Sequence, residues 1–367
     1  MDTKKIIGPL QMASLCVLVR MFALFAFSPA VNQIENGNTR FLGNVVGFLV
    51  SAAMWIPAYY IFKGKTDYNI LDYGKSVSPN VGKITSVILY FATVSIAIVT
   101  VSQFDYFITT TIYPNSSKLL YVIILIGTGM YYTSKGLEPI GRVANIFFAL
   151  FIISLFLILG MLAPKINLVS LSTPFYDGVM SIFKIGYNVA AQNTPILIVL
   201  LLKPNIKEEK AKSYFSYLAI SFVIFEIILF LIVTVLGEYG GTKPFPVYSL
   251  VAVTQGTILK RYDSVYMFIW IFTALIRFSI FLFLSNKCAR EFFPPKFKKH
   301  RTNITAIIIL ICTTITIFNI TIFERIIRFA FSGVILISTG VVLPIILILM
   351  KKVKDKKKAS AGDNYEK

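Results

Sequence analysis

The sequence predicts an all-α membrane protein with about ten transmembrane helices, and three observations predict it. Hydrophobic residues make up 56% of the chain and charged residues only 14%, with a mean hydropathy of +0.75. A soluble chain carries roughly 25% charged residues. The apolar residues also gather in long blocks, most of them near the twenty or so that a hydrocarbon layer of about 30 Å asks of a helix. Finally, the lysines and arginines fall mainly on one side once ten spans are counted.

The ten blocks are Leu10–Pro29, Phe41–Phe62, Ile84–Phe107, Leu119–Tyr132, Ile140–Leu162, Gly178–Leu202, Tyr214–Leu236, Val265–Leu284, Ile304–Ile320 and Ile327–Met350. The fourth is short and is expected to borrow a turn from Thr133 and Ser134. The blocks are continuous, whereas barrel strands alternate at every second residue, so helix is the assignment.

Of the 36 Lys and Arg residues, 24 lie in termini and loops of one side, seven on the other side and five within spans. Positive residues collect in the cytoplasm, which places both termini inside. The same distribution removes the nucleic-acid reading that a net charge of +19 invites, because the cations sit in short loops without a nucleic-acid module. The organisation is a single membrane domain over residues 1–350 and a basic cytoplasmic tail over 351–367, expected to be disordered. The run Lys351–Lys358 reads as a topology anchor or as a contact for anionic lipid headgroups. The first block follows a short basic stretch, as a signal peptide would. Arg20 interrupts it, however, and no small-x-small cleavage site follows, so it is read as a retained helix.

Conventional catalysis and metal binding find no residues to carry them. The single histidine, His300, lies in a basic loop, and Cys16, Cys288 and Cys312 follow no metal or disulfide pattern. No cofactor is expected, and the chain is not read as an enzyme. Gly127 and Gly129 read as a packing site for a neighbouring helix rather than as a nucleotide loop.

Two halves of five spans, about 1–165 and 166–350, would run through the membrane upside down relative to each other. This is the LeuT-type build, in which the first helix of each half is broken near the midplane and offers free backbone groups to a ligand. Span six fits such a break at about Tyr187–Thr194. Gly186, Tyr187, Asn188, Gln192, Asn193, Thr194 and Pro195 interrupt an apolar run there, and Pro195 removes a backbone donor. A plain proline kink, with polar residues joining neighbouring helices, is the other reading. In span one the corresponding break is expected at Val19–Ala23.

A LeuT-type ligand site lies between helices one, three, six and eight. The candidates are Arg20, Met21, Phe22 and Ala23 of span one; Tyr90, Thr93 and Ser95 of span three; Tyr187, Asn188 and Gln192 of span six; and Thr273 and Arg277 of span eight. Two cations at mid-depth need an anion nearby, because an unpaired arginine in a bilayer is costly. Glu226 in span seven is one source, and the carboxylate of a bound ligand is the other. Glu138 and Arg142, four residues apart, read as a structural helical pair.

Three stretches resemble the endospore germination permeases, the B subunits of nutrient germinant receptors. They are the opening IIGPLQM, the segment Ser134–Pro164, and KPFPVYSLVAVTQGTILKRYDSVYMFIWIFTALIRFSIFLF with Arg261, Asp263 and Trp270. The resemblance covers nearly the whole chain to about Met350. It implies membership of the amino acid–polyamine–organocation transporters, a small nutrient ligand such as an amino acid, and a place in the spore inner membrane. It also implies partnership with a membrane A subunit and a lipoprotein C subunit, and a signal that triggers germination through ion release. A proton-coupled amino-acid transporter of the same fold and an ion channel remain open beside the sensor.

Overall fold

The computed structural model describes residues 6–25, 37–63, 68–114, 116–171, 177–207, 212–254, 262–297 and 299–362. Pro29 and Arg261, both used in the sequence reading, lie outside them. Within the described residues the chain is almost entirely helical. The helices are α1 Pro9–Phe25, α2 Gly37–Ala53, α3 Trp55–Phe62, α4 Ile70–Val77, α5 Pro79–Phe107, α6 Lys118–Lys135, α7 Leu137–Leu162, α8 Val179–Ala190, α9 Pro195–Leu202, α10 Lys212–Leu231, α11 Glu238–Thr242, α12 Pro246–Ala252, α13 Tyr262–Phe292, α14 Arg301–Phe318, α15 Ile320–Phe331, α16 Val334–Ile337 and α17 Leu343–Gly362.

Eight helical segments among the described residues are long and apolar enough to cross a membrane. They coincide with predicted spans two, three and five to ten. The first and fourth predicted spans are α1, of 17 residues, and α6, of 18, which fall outside these eight. The latter starts at Lys118 and takes in Thr133 and Ser134 before it ends at Lys135. The chain is therefore a multi-pass membrane protein.

Three expectations are corrected. α1 is an uninterrupted α-helix through Val19–Ala23; its sequence holds neither Gly nor Pro in this stretch, so every backbone donor can be used. The segment that matches span ten is not one continuous helix from Ile327. Residues 320–331 form the separate helix α15, and Gly333, in the left-handed conformation at φ +73°, turns the chain into α16. Finally, α17 stays helical through Gly362, so the tail from Lys351 to Gly362 is a helix rather than a disordered extension.

Two long packing seams set the architecture. α2 crosses α8 closely through Gly43, Gly47 and Gly186. A Cβ at Gly47 would stand 2.6 Å from Cβ of Val189, and one at Gly186 would stand 2.6 Å from Cγ1 of Val46. Small residues are what allow membrane helices to approach in this way. α5 runs along α13 and is joined to it by polar bonds at successive levels. Ser86 Oγ donates to Cys288 O at 2.6 Å, Ser285 Oγ to Thr93 Oγ1 at 2.9 Å, and Arg277 Nε to Thr100 Oγ1 at 3.0 Å. Trp270 stacks on Phe104 above them. Gly129 of α6 receives the Phe278 ring, as its small-residue reading requires.

α1 and α9 occupy the centre. Leu15 to Ala23 are buried, and so is the whole of α9. Their ends on the lysine-rich face are tied by backbone pairing, with Ile6 N donating to Asn205 O and Lys207 N to Ile7 O, both at 2.8 Å.

Candidate ligand site at the broken span

Span six breaks where its polar residues accumulate. α8 ends at Ala190 and α9 starts at Pro195, with Ala191–Thr194 in tight turns between them. The break thus occupies the second half of the expected stretch. Pro195 sits at the first position of α9, where its missing donor costs nothing. Gln192 Nε2, Asn193 Nδ2 and Thr194 Oγ1 are buried and have no hydrogen-bond partner. Buried polar groups of this kind ask for a ligand or water.

Neighbouring helices hold part of the break in place. Trp55 Nε1 donates to Tyr217 Oη at 3.1 Å, and that hydroxyl donates to Asn193 Oδ1 at 3.0 Å. Arg20 Nη2 donates to Ser51 Oγ at 3.2 Å, while its Nη1 is buried without a partner. Arg277 is fixed more firmly. Its Nη1 donates to Val19 O at 2.7 Å and its Nε to Thr100, and the guanidinium lies 5.5 Å from the Phe22 ring centre.

Among the described residues, neither arginine has a carboxylate partner. Glu226 makes no ion pair with Arg20 or Arg277; it lies beside Asn44 of α2, and its Oε2 has no partner. The expected counter-ion role for Glu226 is therefore corrected. Arg20 reaches Ser51 Oγ, and Arg277 is held by neutral oxygens instead. The Glu138–Arg142 pair does form, at 2.6 Å and exposed.

One cavity borders Arg277, and a second lies nearby against Phe22. The first is mixed in character and is lined by Ser95, Gln103, Gln192, Thr194 and Arg277, with α15 and α16 closing one side. The second is apolar and is lined by Met21, Phe22, Tyr266, Trp270 and Thr273 among others. Each has about 30 Å³ of free space, against roughly 10–15 Å³ for a single water. Neither space admits a ligand of amino-acid size without helix movement.

Ser95, Gln192 and Arg277 come together at the first cavity, and Met21, Phe22 and Thr273 at the second. Arg20 points to Ser51, and Ala23 is packed away at 1% exposure. Tyr90 and Thr93 lie elsewhere: Tyr90 Oη bonds Thr305 Oγ1 and packs against Phe292, and Thr93 meets Ser285. Tyr187 donates from its hydroxyl to Ser332 O at 2.5 Å, and Asn188 is half-buried on α8, so both lie outside the two cavities. Gln103, Thr100, Tyr217 and Trp55 were not anticipated. Gln103 was legible, since it stands eight residues from Ser95 and shares its helix face. Tyr217 and Trp55 carry no such signal, because only packing brings them to the break.

Solved structures define the class first. MhsT in complex with L-phenylalanine superposes with a TM-score of 0.66 at 13% identity, covering 90% of this chain and 86% of that one. A Na⁺-coupled sialic acid symporter in a substrate-bound outward-open state superposes with 0.58 at 12%, covering 93% and 78%. The fold is that of the LeuT-type transporters. The spore germination protein family matches residues 41–325, and the chain belongs to that family. No curated protein sequence matches it.

Proposed function

We propose that this chain is the ligand-binding membrane subunit of a spore nutrient-germinant receptor, that it works in the spore inner membrane with an A-type membrane subunit and a C-type lipoprotein, and that its ligand is a small carboxylate-bearing nutrient such as an amino acid. One observation carries this reading: the buried Arg277 guanidinium has no acidic partner among the described residues and borders a cavity that is also lined by Gln192 and Thr194, whose buried polar groups are unpartnered. An anionic group there would neutralise the cation and meet both side chains. Val19 O and Thr100 already orient the guanidinium, so it stands ready for a planar carboxylate. Phe22 and the apolar cavity beyond it would receive an aliphatic or aromatic side chain. The small free volume means that binding is coupled to opening, which is what a sensor requires of its ligand.

Spores carrying Arg277→Gln test this. The nutrient dose–response should shift by about 100-fold or be lost, on the scale of losing hydrogen bonds to a charged group, while protein abundance holds. Arg277→Lys should restore only part of the response. A full response from Arg277→Gln at normal abundance would sink the ligand role.

A proton-coupled transporter of the same fold is the second reading. Glu226 supports it, as a mid-span carboxylate with an unpartnered oxygen and no cation beside it. Uptake of labelled amino acid into proteoliposomes under a pH gradient separates the two: accumulation that Glu226→Gln abolishes favours transport, and saturable binding without accumulation favours sensing.

A further inference from the structure

A far larger cavity lies away from the broken span, on the face that carries α4, Asn205 and the start of α14. Its volume is about 910 Å³, and its lining is mixed polar and apolar. That is the size of a small-molecule site, whereas the cavities beside Arg277 hold little more than water. Positive-inside reasoning places this face in the cytoplasm.

The charges on its wall are unequal. Among the described residues, Lys75, Lys287, Arg290 and Arg301 line it beside two acids, Asp72 and Glu291. Both acids are engaged: Glu291 pairs with Lys75 at 2.7 Å, and Asp72 accepts the Asn69 backbone N–H in a capping box. Lys287 is held by Leu201 O and Asn205 Oδ1, with Asp72 and Glu291 near enough to act on it. Arg290 lies near enough to both Lys287 and Arg301 for like charges to oppose one another. Three cations therefore share one wall.

Two further groups face the same space. Asn286 lines the cavity and is buried at 7% exposure. Its Nδ2 donates to Thr302 Oγ1 at 3.0 Å, and its Oδ1 has no partner. A hydroxyl accepts or donates equally, so the amide can reverse and turn its N–H₂ into the cavity. The first turn of α14 opens there too, at Arg301 and Thr302, after a His300 that makes no side-chain cap bond. Backbone N–H groups at a helix start carry partial positive charge, which favours an anion nearby.

We propose that this vestibule is a second binding site, specific for a small anion of the carboxylate or phosphate type, held by Arg290, Arg301, Lys287, Asn286 and the start of α14. Such an anion comes from a soluble cytoplasmic solute or from a lipid headgroup at the membrane surface, and the chemistry is shared. The site does not depend on the ligand assigned to Arg277.

The full-length protein in nanodiscs of zwitterionic lipid tests this. Thermal unfolding is followed against inorganic phosphate and succinate at constant ionic strength, and then in nanodiscs containing phosphatidylglycerol. Phosphate or succinate should raise the midpoint saturably, and Arg290→Gln should weaken the apparent affinity about tenfold, as expected for a lost charge-assisted bond. Arg290 is exposed, so its substitution leaves folding intact, and Lys296→Gln on the same face serves as the unaffected control. Stabilisation by phosphatidylglycerol alone, again lost in Arg290→Gln, would assign the site to a lipid headgroup. The proposal fails if neither soluble anions nor phosphatidylglycerol give a saturable effect, or if Arg290→Gln responds as the parent does.

Discussion

Spans one and six both cross the centre of the molecule and both carry polar residues at mid-depth, yet among the described residues only span six breaks. Span six combines Gln192, Asn193 and Thr194 with Pro195, which cannot donate and forces the preceding turn apart. Span one has Arg20, which is long enough to reach Ser51 from an intact helix. A polar side chain alone does not unwind a membrane helix; a missing backbone donor does. The difference also redistributes roles. The broken span exposes unpartnered side chains, and the continuous one supplies a carbonyl, Val19 O, that positions Arg277.

The contrast can be attacked directly. Val19→Pro should cost about 3 kcal/mol or more and lower the yield of folded protein, because it places proline inside a helix that tolerates no break. Normal yield and melting temperature would show that span one can break after all. Pro195→Ala should shift the local balance toward a continuous span six by up to about 3 kcal/mol, with slower amide exchange at 193–197 and a weaker nutrient response. Unchanged exchange would mean that side chains, not proline, hold the break open. Gly47→Leu at the α2–α8 crossing should destabilise by about 1–3 kcal/mol, since Val189 already fills the space where a side chain would start. Tyr217→Phe removes the hydroxyl between Trp55 and Asn193 and should cost about 1 kcal/mol, with a modest shift in nutrient sensitivity. At the other end of the scale, Arg142→Gln should change the melting behaviour by no more than about 0.5 kcal/mol, because its pair with Glu138 is exposed.

Part of the candidate site could be read before the fold was known. Arg277 and Gln192 stood out as polar residues in apolar blocks, and Ser95, Met21, Phe22 and Thr273 came with the choice of spans. Tyr90 and Thr93 were reasonable on the same logic, but they face α13 and α14 nearer the lysine-rich face. Depth along a helix and rotation about it must both be right, and a span assignment supplies neither to within a residue. Glu226 shows the same difficulty, because opposite charges at similar depth need not lie on facing helix surfaces.

The sequence by itself determined that the chain crosses a membrane repeatedly, where nearly every span lies, and that span six is weak near Pro195. These are local properties: hydrocarbon thickness sets the length of an apolar block, and proline acts within one turn. Only the tertiary structure decided that span one stays helical through Phe25, that Arg277 is held by Val19 and Thr100, and that Lys287, Arg290 and Arg301 share the wall of one cavity. These depend on which faces of distant helices meet, and that is set by close approaches such as Gly47 against Val189 rather than by the hydrophobicity of any segment.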